Sequence, residues 1–268
     1  ATINQGWRPH LVLALCVVLY PWSAAQAQNR SEPPQPEALR SATPKDAVTR
    51  AKLRTELAAL YFQSGDHIVA LEELTLALSV NPDYAPAYSL RGLVLYHIRE
   101  FDSAERDFKR ALSLDEKNPE ISNNYGWYLC QTGKAKESID YFQRAIRNPL
   151  YRTPEIAWLN AGACYIKLND LDAAEEALRR ILRFTPENPQ ALYHMATVAY
   201  RRGNFDAAKV YLLTAVKQVD PNAEMLWLKT RIDRRLGDRV SEESFAAQLR
   251  RKYPDSTEYR ELLKGNYE

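Results

Sequence analysis

A period of 34 residues constrains this chain more than any other feature. Self-similarity at that spacing marks a solenoid of stacked supersecondary units. Six units begin at Ala51, Ala85, Pro119, Glu155, Pro189 and Ala223. Numbering each from its first residue, position eight is small in the first five (Ala58, Gly92, Gly126, Gly162, Ala196), with Thr230 in the sixth. Position twenty is Ala70, Ala104, Ser138, Ala174 and Ala208, and position twenty-seven is Ala77, Ala111, Ala145, Ile181, Ala215 and Leu249. Larger residues recur at position seventeen (Phe101, Leu171, Phe205) and at position twenty-four (Leu74, Phe108, Phe142, Leu178, Leu212). Small side chains facing large ones let two antiparallel helices approach closely and leave no void.

Position fifteen holds Gly65, Gly133, Gly203 and Gly237, with Asn169 in the fourth unit; these residues tolerate the left-handed conformation that ends a helix. Arg99 breaks the pattern in the second unit. "DSAE" (Asp102–Glu105) and "DAAE" (Asp172–Glu175) have capping-box spacing for the second helix. Pro82, Pro186 and Pro254 close units where a helix cannot continue. The expected fold is an all-α superhelical solenoid of six helix–turn–helix repeats, followed by a capping helix at about 256–264. The sixth repeat is degenerate, with Glu242 where a small residue is expected. The pattern over 51–254 resembles the tetratricopeptide repeat. In that fold positions two, five, nine, twelve and thirteen line a concave surface. The resemblance therefore implies a partner-binding groove containing Asn123, Trp127, Leu159, Ala163, Tyr193, Tyr200 and Trp227. Trp127 stands where other repeats place Ala59, Leu93, Ala163, Thr197 and Arg231, so either it faces the groove or it packs against a neighbouring helix.

Arg8 and His10 precede the apolar run "LVLALCVVLY", Pro21 breaks it, and Ala25 and Ala27 form a small-residue cleavage site. This is the layout of a secretory signal peptide over 1–27, so the mature chain is expected to begin near Gln28. Ten apolar residues span about 15 Å as a helix, too little for a bilayer. Residues 28–46 carry Pro33, Pro34, Pro36 and Pro44 and read as a linker, which leaves 47–268 as the repeat domain. A formal net charge of +2 is too balanced to argue for nucleic acid or an anionic membrane.

No catalytic constellation is present. His10, His67, His97 and His194 are far apart in sequence, and no phosphate loop, nucleophile elbow or H-E-x-x-H motif occurs. His97 and His194 fall at positions thirteen and six and would supply two metal ligands at most. The reading is a non-enzymatic monomer with no cofactor, no metal and no small-molecule substrate. Signal removal leaves Cys130 and Cys164 on neighbouring first helices. An even number in an exported chain points to a disulfide, with two buried free thiols as the alternative.

Local stretches go further. "NNYGWYLCQTG" (Asn123–Gly133) and "RNPLYRTPEIAWLNAGACYIKLNDLDAAE" (Arg147–Glu175) resemble the third and fourth repeats of the type IV pilus biogenesis/stability family PilW, also called PilF. Thr153 and Pro154 are two extra residues between these repeats. "LWLKTRIDRRLGDR" (Leu226–Arg239) and "LRRKYPDSTEYRELLKGNYE" (Leu249–Glu268) are similar to that family's C-terminal end. The resemblance implies a pilotin-like scaffold, with the outer-membrane secretin of the type IV pilus as partner, that serves secretin assembly or fibre stability. It places the protein in the periplasm, associated with the outer membrane. The family is typically acylated on a cysteine after its signal sequence. Here Cys16 lies inside the apolar run behind Leu15, so the chain is either an unlipidated periplasmic protein or a lipoprotein with an unusual lipobox. The rival role is that of an adaptor for another envelope assembly machine.

Overall fold

The computed structural model describes residues 44–267. The signal peptide, most of the linker and Cys16 lie outside the described residues. Thirteen α-helices follow, with no strand among the described residues: α1 (Pro44–Gln63), α2 (His67–Val80), α3 (Ala85–His97), α4 (Phe101–Leu114), α5 (Pro119–Gln131), α6 (Ala135–Arg147), α7 (Pro154–Lys167), α8 (Leu171–Phe184), α9 (Pro189–Arg201), α10 (Phe205–Val216), α11 (Ala223–Leu236), α12 (Arg239–Lys252) and α13 (Thr257–Lys264). They form an all-α solenoid of six antiparallel pairs plus a last helix. Each first helix of a pair touches the next first helix, whereas second helices do not touch one another. The odd-numbered helices α1 to α11 therefore make a continuous inner wall, and the even-numbered ones sit outside it.

The sequence sets this spacing through side-chain size. The residues at positions eight, twenty and twenty-four are buried in the first five repeats. A Cβ added to Gly92 would meet the Phe108 ring at 2.9 Å, one on Gly126 the Phe142 ring at 3.0 Å, and one on Gly162 the Leu178 side chain at 2.9 Å. Where position eight is Ala58 or Ala196, position twenty-four is leucine rather than phenylalanine. Helix starts are set by polar caps. The side chains of Asp66, Asn118, Asp170, Asn188, Asn204, Asn222 and Asp238 each accept a hydrogen bond from a backbone N–H three residues on.

Two expectations need correction. The capping boxes are not caps. α4 and α8 begin one residue before Asp102 and Asp172, and the cap of α8 is Asp170. Glu105 and Glu175 instead reach the next repeat, accepting from Lys134 at 2.9 Å and from Arg202 respectively. Those cations hold both carboxyls below the usual carboxylate range. Phe101 does not fill a gap: it is 42% exposed, resting against Tyr96 with ring centroids 5.5 Å apart. Arg99, which departs from the glycine pattern, keeps the turn by adopting φ 67° itself.

Candidate functional site

Along the inner wall, α5, α7, α9 and α11 enclose a groove of about 550 Å³. Of the residues assigned to a concave surface from sequence, Trp127, Leu159, Ala163 and Tyr193 line it. Ala163 and Thr197 are small and keep its floor low. Trp127 is half-buried and combines both readings of its position. Its ring meets Tyr96 edge-on at 4.8 Å and lies nearly parallel to His97 at 6.0 Å, while the rest of it borders the groove. Burial, then the charge of Glu224, raises the pKa of Tyr193, so its phenol stays protonated.

Of the other three expected residues, Asn123 and Trp227 are buried and Tyr200 is half-buried, and none of them lines this groove. Asn123 is 4% exposed and belongs to an amide chain that ties successive first helices together. Asn160 Nδ2 donates to Asn123 Oδ1 at 3.0 Å, Asn123 Nδ2 to Asn124 Oδ1 at 3.3 Å, and Asn124 Nδ2 to Ser89 Oγ at 3.1 Å. A buried amide needs such partners, and this one finds them on the next first helix and in its own neighbour Asn124. Trp227 is 8% exposed because Tyr267 lies against it, ring centroids 5.3 Å apart. The Tyr200 hydroxyl donates to the Tyr267 carbonyl at 3.2 Å, and the Arg234 guanidinium sits 3.9 Å from the Tyr267 ring centroid. The segment after α13 thus covers the wall at the last repeat.

The residues singled out from sequence left out much of the groove's polar lining: Gln131, Asn160, Lys167, Arg201 and Glu224. The signal for part of it was available. Gln131, Lys167 and Arg201 all occupy position thirteen of their repeats. Lys167 Nζ donates to Gln131 Oε1 at 2.6 Å and Arg201 Nη1 to the Ile166 carbonyl at 2.5 Å. Burial lowers the pKa of Lys167 and of Arg231.

Cys130 and Cys164 form a disulfide under this groove, with Cα atoms 6.0 Å apart. It ties α5 to α7 across a separation of 34 residues. In the chain-entropy account a closed loop of that size stabilises by about 3–4 kcal/mol. The bridge fixes the distance between the walls that carry Trp127 and Leu159.

His97 and His194 do not come together. His97 sits with His67, ring centroids 5.7 Å apart, while His194 lies beside Tyr193 in the groove. His194 keeps part of its ring open, yet so much protein surrounds it that burial lowers its pKa to about 4. It is neutral at physiological pH. Among the described residues no group of three or more His, Cys, Asp or Glu is placed to hold a metal ion.

Comparison with known proteins decides the family. One tetratricopeptide-repeat model matches residues 55–119, 98–151 and 131–189, and a second matches 166–232. The crystal structure of PilW, a widely conserved type IV pilus biogenesis factor, superposes with a TM-score of 0.70 at 32% identity, over 80% of this chain and 98% of that one. The chain belongs to the PilW/PilF family of tetratricopeptide-repeat proteins. Pseudomonas aeruginosa PilF, a type IV pilus assembly protein, is 27% identical over 202 residues, which is 75% of this chain and 80% of the relative. A solved structure of P. aeruginosa PilF superposes with a TM-score of 0.68 at 25% identity, over 82% and 99% of the two chains. As a member of the PilW/PilF family the chain carries a repeat scaffold of the kind that binds other proteins. No helix among the described residues is long and apolar enough to cross a membrane.

Proposed function

We propose that the protein is a non-enzymatic scaffold of type IV pilus biogenesis. It holds a segment of the outer-membrane secretin in the groove beside Trp127 and assists secretin assembly in a pilotin-like way. The observation that carries this is the 32% identity with PilW along 98% of that chain, a match that runs through the groove-bearing repeats and not through one motif. A half-enclosed wall of first helices suits a protein segment docking as a helix or as an extended strand. The proposed site of action is the periplasm, reached through the signal peptide over 1–27, with the outer membrane contacted through the secretin or through acylated Cys16.

The test is capture of purified secretin by the purified chain, compared with the Trp127→Ala variant. An aromatic anchor in the centre of an interface contributes about 2 kcal/mol or more, so binding should fall roughly thirtyfold. Circular dichroism melts on the same proteins separate this from unfolding. Lys109→Ala, on an exposed side of α4, is the control and should change neither quantity. Secretin capture unchanged in a folded Trp127→Ala protein overturns the assignment of the groove.

A further inference from the structure

The inner wall does not stop where the groove does. Arg231 on α11 lines the groove and also stands over the rings of Tyr200 and Trp227, 4.9 Å and 5.6 Å from their centroids. Tyr200 is at position twelve of repeat five, and Trp227, Arg231 and Arg234 are at positions five, nine and twelve of repeat six. All four belong to the positions that line a concave surface in this fold. The wall therefore continues past the groove as a face of two aromatic rings and two guanidinium groups. The chain itself occupies that face. The Tyr267 ring lies 5.3 Å from the Trp227 ring and 3.9 Å from the Arg234 guanidinium, and the Tyr200 hydroxyl donates to the Tyr267 carbonyl at 3.2 Å.

Tyr267 arrives as a ligand would. α13 ends at Gly265, whose φ of 69° turns the chain back, and the N–H groups of Gly265 and Asn266 close on the Leu262 and Glu261 carbonyls at 3.0 Å and 3.1 Å. Residues 265–267 then form a strap outside any helix, and Tyr267 is half-buried. The receiving face has its own supports. Arg234 is held by Glu242 at 2.9 Å, and Trp227 packs with the buried Leu226 and Leu249. A short strap laid on a supported face is the part that opens first. The face offers an indole for ring contact, a guanidinium for a cation–π contact and a hydroxyl for a main-chain carbonyl. None of these contacts requires that Tyr267 belong to the same chain.

We infer that this face is an aromatic-reading end of the groove, held shut by the strap 265–267, and that it takes a tyrosine or phenylalanine of an extended partner segment lying in the groove. The partner's ring replaces the Tyr267 ring over Trp227 and Arg234, and its main-chain carbonyl accepts from Tyr200. The strap competes at an effective concentration in the millimolar range, because it is tethered beside the face. A partner's apparent affinity is therefore reduced by the fraction of time the strap is open. This rests on the groove reading above and names a residue class for the occupant, independently of which protein supplies it.

The experiment uses a fluorescein-labelled peptide of three Gly-Asn-Tyr units, the sequence of the strap, and a counterpart of three Gly-Asn-Ala units. Binding to the full chain and to its Tyr267→Ala and Tyr267→Phe variants is read by anisotropy, with a melting curve for each protein. The tyrosine peptide should bind Tyr267→Ala at least about tenfold more tightly than the unaltered chain, the ratio for a strap closed about nine-tenths of the time. Tyr267→Phe keeps the ring and the carbonyl and should behave as the unaltered chain does. The alanine peptide should not distinguish the three proteins. Equal binding of the tyrosine peptide to the unaltered chain and to Tyr267→Ala, or binding to neither, overturns the inference. A lower melting temperature for Tyr267→Ala with no gain in peptide binding gives the ring a packing role alone and also overturns it. Dimers of the unaltered chain that Tyr267→Ala dissolves would assign the face to the strap of a second copy, with the same consequence. Failure of the peptide alongside Trp127-dependent secretin capture removes the aromatic end and leaves the groove reading standing. The reverse pair of results retains the aromatic end and removes the secretin.

Discussion

Repeats three and six close the gap between their two helices in opposite ways. In repeat three the closure is steric: Gly126 offers no side chain, and the fully buried Phe142 fills the space. In repeat six the equivalent positions hold Thr230 and Ala246, and charge enters the interface. Lys229 is 2% exposed and bonds Asp233, which is 0% exposed. The Ser241 hydroxyl on α12 donates to Asp233 Oδ2 at 2.6 Å and accepts from Lys229 Nζ at 3.1 Å. Glu242, where a small residue was expected, is buried and held by Arg234 at 2.9 Å and Arg239 at 3.0 Å. A steric contact fixes only how close two helices come. A directed polar network also fixes how one helix is placed along the other, but it depends on every member being present.

That dependence gives the largest expected effect. Asp233→Ala leaves Lys229 buried with no carboxylate in bonding distance, a change that costs about 3–5 kcal/mol. Replacing both charges, Lys229→Met with Asp233→Leu, should recover most of it, since a buried pair and a well-packed apolar pair are of comparable stability. Repeat stability is close to a sum of local and nearest-neighbour terms, so the loss should stay near the end of the stack. Hydrogen exchange should show α11 and α12 deprotected in Asp233→Ala and α5 and α6 unchanged. Uniform deprotection of all six repeats would break the comparison.

The steric side predicts a smaller effect with a built-in rescue. Gly126→Ala places a Cβ 3.0 Å from the Phe142 ring and 3.2 Å from the Ser138 carbonyl oxygen. Overpacking of this kind costs about 1–3 kcal/mol. Adding Phe142→Leu recreates the Ala196/Leu212 combination of repeat five. The double variant should then be more stable than the sum of the singles by about 1 kcal/mol in denaturant titrations. Strict additivity would mean that positions eight and twenty-four are not a matched pair.

These contrasts explain what the sequence made legible. The steric pairs were visible because they use residue size at a fixed period, and one period predicts the next. The inner wall was visible for the same reason, and Trp127, Leu159, Ala163 and Tyr193, grouped by that period, all line one cavity. The covering of Trp227 was not, because it depends on Tyr267, whose carbonyl meets Tyr200 across 67 residues of sequence. No periodicity carries that contact. The supposed capping boxes failed for a third reason. Asp102 and Asp172 fit a local motif, but the helices start one residue before them, and Glu105 and Glu175 find cations on the next repeat.

The turn of repeat two offers the smallest effect and the most direct comparison with repeat three. Gly133 and Arg99 occupy the same position, with φ 86° and 67°. In both turns the following N–H reaches back to the same helical carbonyl, Lys134 to Leu129 and Glu100 to Leu95, each at 2.9 Å. The geometry is therefore shared, and only the side chain differs. A left-handed conformation costs an L-residue about 1–2 kcal/mol, which glycine avoids, though glycine loses more backbone entropy on folding. Arg99→Gly should consequently stabilise the chain by about 0.5–1 kcal/mol. Gly133→Ala should destabilise it by a similar amount, and purely through the backbone, because a Cβ there meets nothing within 4 Å. Asn169, at φ 59°, should respond less to glycine than Arg99 does, since asparagine enters this region readily. Urea titrations of the three variants would rank them. If Arg99→Gly is destabilising, the arginine side chain contributes more to this turn than its strained backbone costs.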